Sequence, residues 1–340
     1  PLHYVQNDRV IGLIRDIERA DADLRHYETD PETRYRIFRE ALAQNAYGTA
    51  SIEGNPLTLE EVESLLVKAP TPDNTIEPDE REILNFARFM EEIDRRPVPR
   101  TVDDIVTMHE QHFQGVLEKR GRLKERPNFI GRRADHKVVY VPSRPEEVPP
   151  ELQAALDWLH EAPEHPLVKA TVFFHEFQSI HPFPDGNGRL GRLLFMLYLY
   201  HEGYTGIRYA PIDYTVNRDR DDYWHMLDEG RRHDWDRTPW VQYNLTLLGE
   251  AYRTALDRFL FQRRLPATLN ERQRRIAEWF ATMNRGAPER RMKLADVHAA
   301  FPYAARRTLT KDLRVLVDAG VLEKEGELKG TRYRMTRTSP

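Results

Sequence analysis

Residues 181–192 read His-Pro-Phe-Pro-Asp-Gly-Asn-Gly-Arg-Leu-Gly-Arg. Within twelve positions this stretch sets an imidazole, a carboxylate, two glycines about an asparagine, and two arginines. An apolar run, Leu193 to Tyr200, follows directly and reads as a buried helix, which puts Gly186-Asn187-Gly188 in the loop that opens it. A helix N-terminus presents unpaired backbone N–H groups and a partial positive charge, both suited to phosphate. Glycines let the backbone come close to a ligand, and Arg189 and Arg192 supply charge-assisted hydrogen bonds. The Asp185 carboxylate offers a hard oxygen ligand for Mg²⁺. Together these residue types describe a nucleotide polyphosphate site with His181 as a nearby proton acceptor.

The same twelve residues resemble the Fic-family signature, His-Pro-Phe-x-Asp/Glu-Gly-Asn-Gly-Arg-x-x-Arg, at every defined position. That resemblance implies a Mg²⁺-dependent protein adenylyltransferase: AMP from ATP is transferred to a Ser, Thr or Tyr hydroxyl of a target protein, and of the enzyme itself. Carried over by position, His181 is the general base and Asp185 holds Mg²⁺. Asn187 and the amides of Gly186 and Gly188 grip the α- and β-phosphates, Arg189 contacts the outer phosphates, and Arg192 orients the γ-phosphate. Phe183 anchors the loop. ATP and an unidentified target protein are the implied partners.

Further elements must position these groups. Helical patterns cover 33–47, 58–66, 77–94, 101–113, 151–161 and 171–179, separated by Pro/Gly/Asp breaks, so the expected fold is mainly α, and the resemblance makes it a Fic-type helical bundle. The run Asn128 to Pro142 breaks this pattern with two β-rich stretches about a charged connection, a hairpin signal. The resemblance makes it a flap over the site, which pairs with an extended target segment through main-chain hydrogen bonds. Its candidate residues are Ile130, Gly131, Val139 and Tyr140. Thr49-Ala50-Ser51-Ile52-Glu53-Gly54 matches the family's inhibitory pattern Ser/Thr-x-x-x-Glu-Gly/Asn. Thr49, Glu53 and Gly54 then belong to an inhibitory helix, about 40–55, whose glutamate pairs with Arg192 and takes the fork meant for γ-phosphate. The same glutamate could instead align a water for removal of AMP, and that alternative stays open. Tyr223 and Trp224 are candidates for stacking on the nucleobase. His175 and His181 are six apart rather than the four a zincin helix needs, which sets zinc hydrolysis aside.

The bounds of the chain fit an enzyme with an added module. At 340 residues it allows two or three domains, read as an N-terminal helical region at 1–96, a catalytic domain at 97–262 and a third domain at 268–340. The chain has no cysteine, which excludes disulfides and thiolate metal sites and fits a reducing compartment. With no apolar run long enough to span a bilayer and no secretory leader, the expectation is a cytoplasmic protein without a membrane partner. A homodimer stays open.

Charge is uneven. Residues 268–340 hold 16 Lys/Arg against 9 Asp/Glu, a net of +7, while the whole chain is at −4. Asn270 caps an expected helix at 271–283, a second helix covers 293–300, and a third covers 303–319 with Gly320 as its C-cap. Two strands at 321–322 and 333–335 complete an order that resembles a winged-helix domain. Arg306, Arg307, Thr308 and Lys311 lie on its candidate recognition helix, so duplex DNA is a further candidate partner. The chain would then be a DNA-binding regulator whose enzymatic half modifies itself.

Overall fold

The computed structural model describes residues 3–27, 31–67, 76–131, 138–232, 236–284, 290–326 and 330–336. The fold is mainly α-helical, as expected, and the chain divides into two units, 1–256 and 257–340. The regions expected at 1–96 and 97–262 are not separate bodies. They share the first unit up to residue 256, and the division falls inside a long helix rather than in a linker near residue 268.

The first unit begins with α1 (Asp8–His26), α2 (Pro31–Glu53), α3 (Leu59–Val67), α4 (Pro78–Glu91) and α5 (Val102–His112). A hairpin of β1 (Ile130–Gly131) and β2 (Val138–Tyr140) follows, then α6 (Val148–Glu161), α7 (Pro166–Ile180) and α8 (Asn187–His201). After these come α9 (Ile212–Arg218), α10 (Arg220–Glu229) and α11 (Thr238–Arg264). Thirteen of the 15 residues of α7 and twelve of the 15 of α8 are buried, so both helices are enclosed on nearly all sides and form the centre of the core. Trp240 of α11, itself fully buried, donates its indole N–H to the Thr171 carbonyl of α7 at 2.9 Å.

Helix α2 joins the helical pattern at 33–47 and the helix expected at about 40–55 into one element. It does not stop at Tyr47 but runs on through Thr49 and Glu53 to Gly54, whose φ of 97° ends it. The small residues Ala46, Gly48 and Ala50 break the hydrophobic signal, yet all are buried because neighbouring backbone comes so close. A Cβ at Gly48 would stand 2.4 Å from the carbonyl carbon and oxygen of Asp213 in α9. One turn earlier, Asn45 reaches the same helix start: it donates to the Ala210 carbonyl at 2.9 Å and accepts from the Asp213 amide at 3.0 Å. A side chain of α2 thus caps α9, and α2 also packs against α8.

The hairpin is short and irregular. Ile130 pairs with Tyr140 and Gly131 with Val138, so the register shifts at Val139. The charged connection, 132–137, lies outside the described residues. The helix α1 and most of α11 carried no assignment in the sequence reading. Asn7 caps α1 by accepting from the Val10 amide at 3.1 Å, and Val10, Ile14, Ile17 and Leu24 supply its inward face.

The second unit has the expected order of elements: α12 (Glu271–Asn284), α13 (Leu294–Ala300), α14 (Arg306–Asp318), then β3 (Leu322–Glu325) antiparallel to β4 (Arg332–Met335). Asn270 and Gln273 form a reciprocal cap at the start of α12, each side chain accepting from the other's amide at 3.0 Å. Ile276, Phe280, Val297, Leu309, Leu313 and Leu316 form its core, each fully buried. Part of the expected wing, 327–329, lies outside the described residues.

The close contact at Gly48 makes a direct prediction. Gly48→Ala should force α2 and α9 apart and destabilise the first unit by about 1–3 kcal/mol, the usual effect of overpacking. Urea unfolding of the variant beside the parent measures this, and equal midpoints would contradict the packing described.

Candidate active site

Helix α7 ends in an unusual way. His181 closes it with its amide on the Phe177 carbonyl at 3.0 Å, but its own backbone is left-handed, with φ 52° and ψ 61°. Among the described residues it is the one non-glycine with positive φ. Such a conformation costs on the order of 1–3 kcal/mol and persists only where surrounding contacts enforce it. Those contacts come from the segment after α5. The Lys124 amide donates to the Pro182 carbonyl at 2.9 Å, and its buried ammonium reaches the Ile180 carbonyl at 3.0 Å and the Asn128 side chain at 2.9 Å. Asn128 then donates to the carbonyls of Phe183 and His181 at 3.1 and 3.3 Å.

The turn between α7 and α8 is pinned from inside. Phe183 is fully buried, and its ring stacks on that of His109 with centroids 3.8 Å apart. The Gly121 amide donates to His109 Nδ1 at 3.0 Å, so the proton sits on Nε2, which donates to the Asp185 carbonyl at 3.0 Å. Asn187 folds inward: its Oδ1 accepts from the Phe183 amide at 2.9 Å and its Nδ2 donates to the Phe183 carbonyl at 2.8 Å. It is 2% exposed. Each of its polar atoms thus carries a bond that shapes the loop. Gly186 caps α8 with φ 81°, and a Cβ there would meet Phe113 at 2.7 Å. Asn187 and Gly188 are the first residues of the helix proper rather than part of its loop.

Both arginines of the motif are buried against carboxylates. Arg189 donates to Glu82 of α4 at 2.7 Å and to Asp185 at 3.0 Å, with its guanidinium over the Phe113 ring. Asn55, just past the end of α2, also donates to Glu82 at 2.8 Å. Arg192 donates to Thr49 Oγ1 at 2.9 Å, to the Thr49 carbonyl at 3.0 Å and to Glu53 Oε1 at 3.0 Å, with Asp213 at 3.9 Å. The Glu53 carboxylate also lies over the start of α8, where a Cβ on Gly188 would be 2.2 Å from its Oε1. Thr49, Glu53, Asp185, Gly186, Gly188, Arg189 and Arg192 are thus gathered in one place.

Two expectations fare differently. Tyr223 is fully buried against Trp240 and Trp224, so its ring is core and has no open face for a base. Trp224 is 38% exposed and is the aromatic of the pair left available. His175 is also fully buried, with Nε2 on the Leu227 carbonyl at 3.0 Å, which makes it a support inside the core. Tyr140 of the hairpin is brought beside the end of α7 through Arg231, whose guanidinium lies 3.9 Å from the Tyr140 ring centre.

Electrostatics keep the central imidazole neutral. Burial, aided by the charges of Lys124 and Arg231, lowers the His181 pKa to about 4, against a carbonyl contact and Glu53 that work upward. His181 Nδ1 lies 3.3 Å from the Gln178 carbonyl. A proton on Nδ1 leaves Nε2 with a free lone pair, the arrangement a base requires. Burial raises Asp213 to about 6, with Arg192 opposing.

Residues 99–199 match the family model described as the Fic/DOC family, a span that holds the hairpin and the whole 181–192 motif but not α2. Among curated proteins, the chain is 30% identical over 209 residues to "Protein adenylyltransferase Fic" of Nematostella vectensis, covering 58% of this chain and 45% of that one. It is 27% identical over 235 residues to the protein of the same name from Drosophila ananassae, covering 66% and 43%. The chain therefore spans less than half the length of these relatives. A solved structure of a Fic family protein from Desulfovibrio desulfuricans superposes with a TM-score of 0.65 over 99% of this chain and 98% of that one. At 24% identity this is a likeness of fold.

The buried imidazoles set a pH dependence. Burial lowers His109 to about 4, His112 to about 3 and His181 to about 4, and takes His175 well below the ordinary range. An unfolded chain protonates these rings near pH 6.5 whereas the folded protein resists, so stability is lost as pH falls from about 6.5 towards about 4. Asp213, held at about 6, acts the other way, since its penalty as an anion is relieved over the same range. Asp21, also raised by burial, acts in the same direction as Asp213, and four rings against two acids leave a net loss. Urea midpoints should decline steadily between about pH 7 and about pH 5, and a flat profile would refute the burial of these groups as neutral rings.

Proposed function

We propose that this chain, whose residues 99–199 match the Fic/DOC family model, transfers AMP from ATP to a Ser, Thr or Tyr hydroxyl of a target protein and of itself. The names of its relatives support the reaction class. His181 Nε2 takes the proton of the hydroxyl. The oxygen then bonds to the α-phosphorus while the bond from that phosphorus to the bridging oxygen breaks, and pyrophosphate leaves. Backbone N–H groups at the start of α8 and the Arg192 fork hold the phosphates, so most of the rate comes from positioning and charge stabilisation. Asp185, with 64% of its side chain exposed, fits a role as the one protein ligand of Mg²⁺, an ion that keeps waters and phosphate oxygens around it. Among the described residues no group of three or more His, Cys, Asp or Glu is built to hold a metal. When bound, the ion neutralises phosphate charge.

Glu53 is the brake in this reading. The observation that carries it is the carboxylate 3.0 Å from Arg192 and packed on Gly188, because an anion already stands where a phosphate would bind. With Glu53 in place, the guanidinium fork and the open space over α8 are both occupied. Thr49 fixes the partner arginine and Gly54 ends the helix that delivers the glutamate.

A second reading concerns the second unit. In α14, Arg307 and Lys311 are exposed on the side away from the buried Leu309, Leu313 and Leu316, Arg306 is exposed at the first residue of the helix, and Thr308 is partly covered. A cationic stripe of this kind fits the phosphates of duplex DNA.

Glu53→Gly should raise self-labelling from ATP by more than about tenfold, read by mass spectrometry after incubation with each nucleoside triphosphate. No gain removes the brake from the proposal. Adding His181→Ala should return labelling to background, because no group is left to take the hydroxyl proton, and persistent labelling would unseat His181 as the base. Release of AMP from pre-modified protein with Mg²⁺ but without ATP would assign the reverse reaction instead. For the second unit, duplex binding should weaken steeply with salt and be lost in Arg306→Ala/Arg307→Ala, and indifference to both would exclude that surface.

A further inference from the structure

Arg231 follows α10 and lies outside both the 181–192 motif and the residues matched by the family model. Its surroundings are specific. The guanidinium stacks on the Tyr140 ring at 3.9 Å, close enough for a strong cation–π contact. Its Nε donates to Ser179 Oγ at 3.0 Å and its Nη2 to the Gln178 carbonyl at 3.3 Å. Ser179 Oγ in turn donates to the His175 carbonyl at 2.9 Å, so the anchor is the last turn of α7. The Gln178 carbonyl is also the group that faces His181 Nδ1 at 3.3 Å. One guanidinium therefore touches the hairpin on one side and the acceptor of the catalytic ring on the other.

We propose that Arg231 is a positioning residue that fastens the hairpin to the end of α7 and holds the Gln178 carbonyl on which the His181 ring is oriented. The inference rests on the adenylyl-transfer reading for its catalytic meaning, while the clamp itself is independent of it. If an extended target segment pairs with β2, the height of its hydroxyl over His181 is set through Tyr140 and Arg231. Two free ends, a two-stranded hairpin and an imidazole, are brought to a common reference. A planar fork suits this task better than an ammonium, since it stacks and donates in fixed directions at once. The charged groups that face His181 are Lys124, Arg231 and Glu53. Removal of Arg231 takes away one of the two cations that disfavour a protonated ring.

The test uses the full chain with Glu53→Gly as parent and adds Arg231→Met, Arg231→Lys or Tyr140→Leu. Arg231→Met and Tyr140→Leu should lower self-labelling at saturating ATP by about tenfold or more, with KM for ATP within about twofold. The acid limb of the rate–pH profile should move upward in Arg231→Met and stay in place in Arg231→Lys and Tyr140→Leu, which keep the charge. Hydrogen exchange of peptides containing Tyr140 should quicken in both Arg231→Met and Tyr140→Leu. Parental rates, an unmoved acid limb and unchanged exchange would overturn the proposal, as would a loss that appears in KM for ATP. If the Glu53→Gly parent incorporates no AMP, the transfer reading is what fails. Exchange at Tyr140 together with titration of the His181 ring by NMR then decides the clamp without any activity.

Discussion

A permanent positive charge at the centre of a protein has to be answered, and Arg192 is such a charge. It is 2% exposed and remains protonated under all conditions of interest. A buried guanidinium without partners would be prohibitively unfavourable. The answer comes from other helices: Thr49 and Glu53 of α2, with Asp213 of α9 close by. This is why α2 must lie tight against both α8 and α9, and why Gly48 has no room for a side chain. The packing of three helices and the charge balance of the site are one problem with one solution. Arg189 repeats the scheme one turn earlier with Glu82 and Asp185.

The contrast between the two arginines and the His181 imidazole follows from their chemistry. Guanidinium groups keep their charge when buried and recruit carboxylates. Imidazole gives up its proton instead, and His181 does so between Lys124 and Arg231. The left-handed backbone of His181 is enforced by the Lys124–Asn128 segment, so the geometry of this residue is set by residues more than fifty positions away. Lys124 takes part in both, holding the strained backbone and adding a charge beside a ring that burial already keeps neutral.

What could be read from the sequence was contiguous. The motif from His181 to Arg192, the apolar helix after it, and the Thr49–Glu53 spacing all lie within single short stretches, and the structure brings them together. The helix-helix-helix-hairpin order of the second unit was also legible, since Asn270, Gly320 and the leucine spacing mark its ends and inner faces. The supporting groups come from distant loops and helices and leave weaker traces. Glu82 is the one that had a signal: it shares the buried face of α4 with Ile83, Phe86, Phe89 and Met90, and an acid on an apolar face calls for a cation. Lys124, Asn128 and Arg231 sit in irregular segments where periodicity says nothing. Tyr223 misled because an aromatic pair on a helix reads the same whether it faces a ligand or the core. The loop-shaping bonds of Asn187 left no sign in the sequence, where its polarity reads only as that of a ligand-facing group.

Glu53 also sits at an unfavourable end of its own helix. It is the last residue of α2, where the exposed carbonyls repel a carboxylate, yet it meets the amide end of α8. Its place is therefore held across the fold and against its local preference. Since the carboxylate is covalently tethered, any anion arriving at Gly188 meets a rival whose local concentration is fixed by the chain, commonly about millimolar or above for such tethers. Occupancy of that spot is then a ratio between what diffuses in and what the last turn of α2 allows, and whatever frays or steadies that turn retunes the threshold without touching a single phosphate contact.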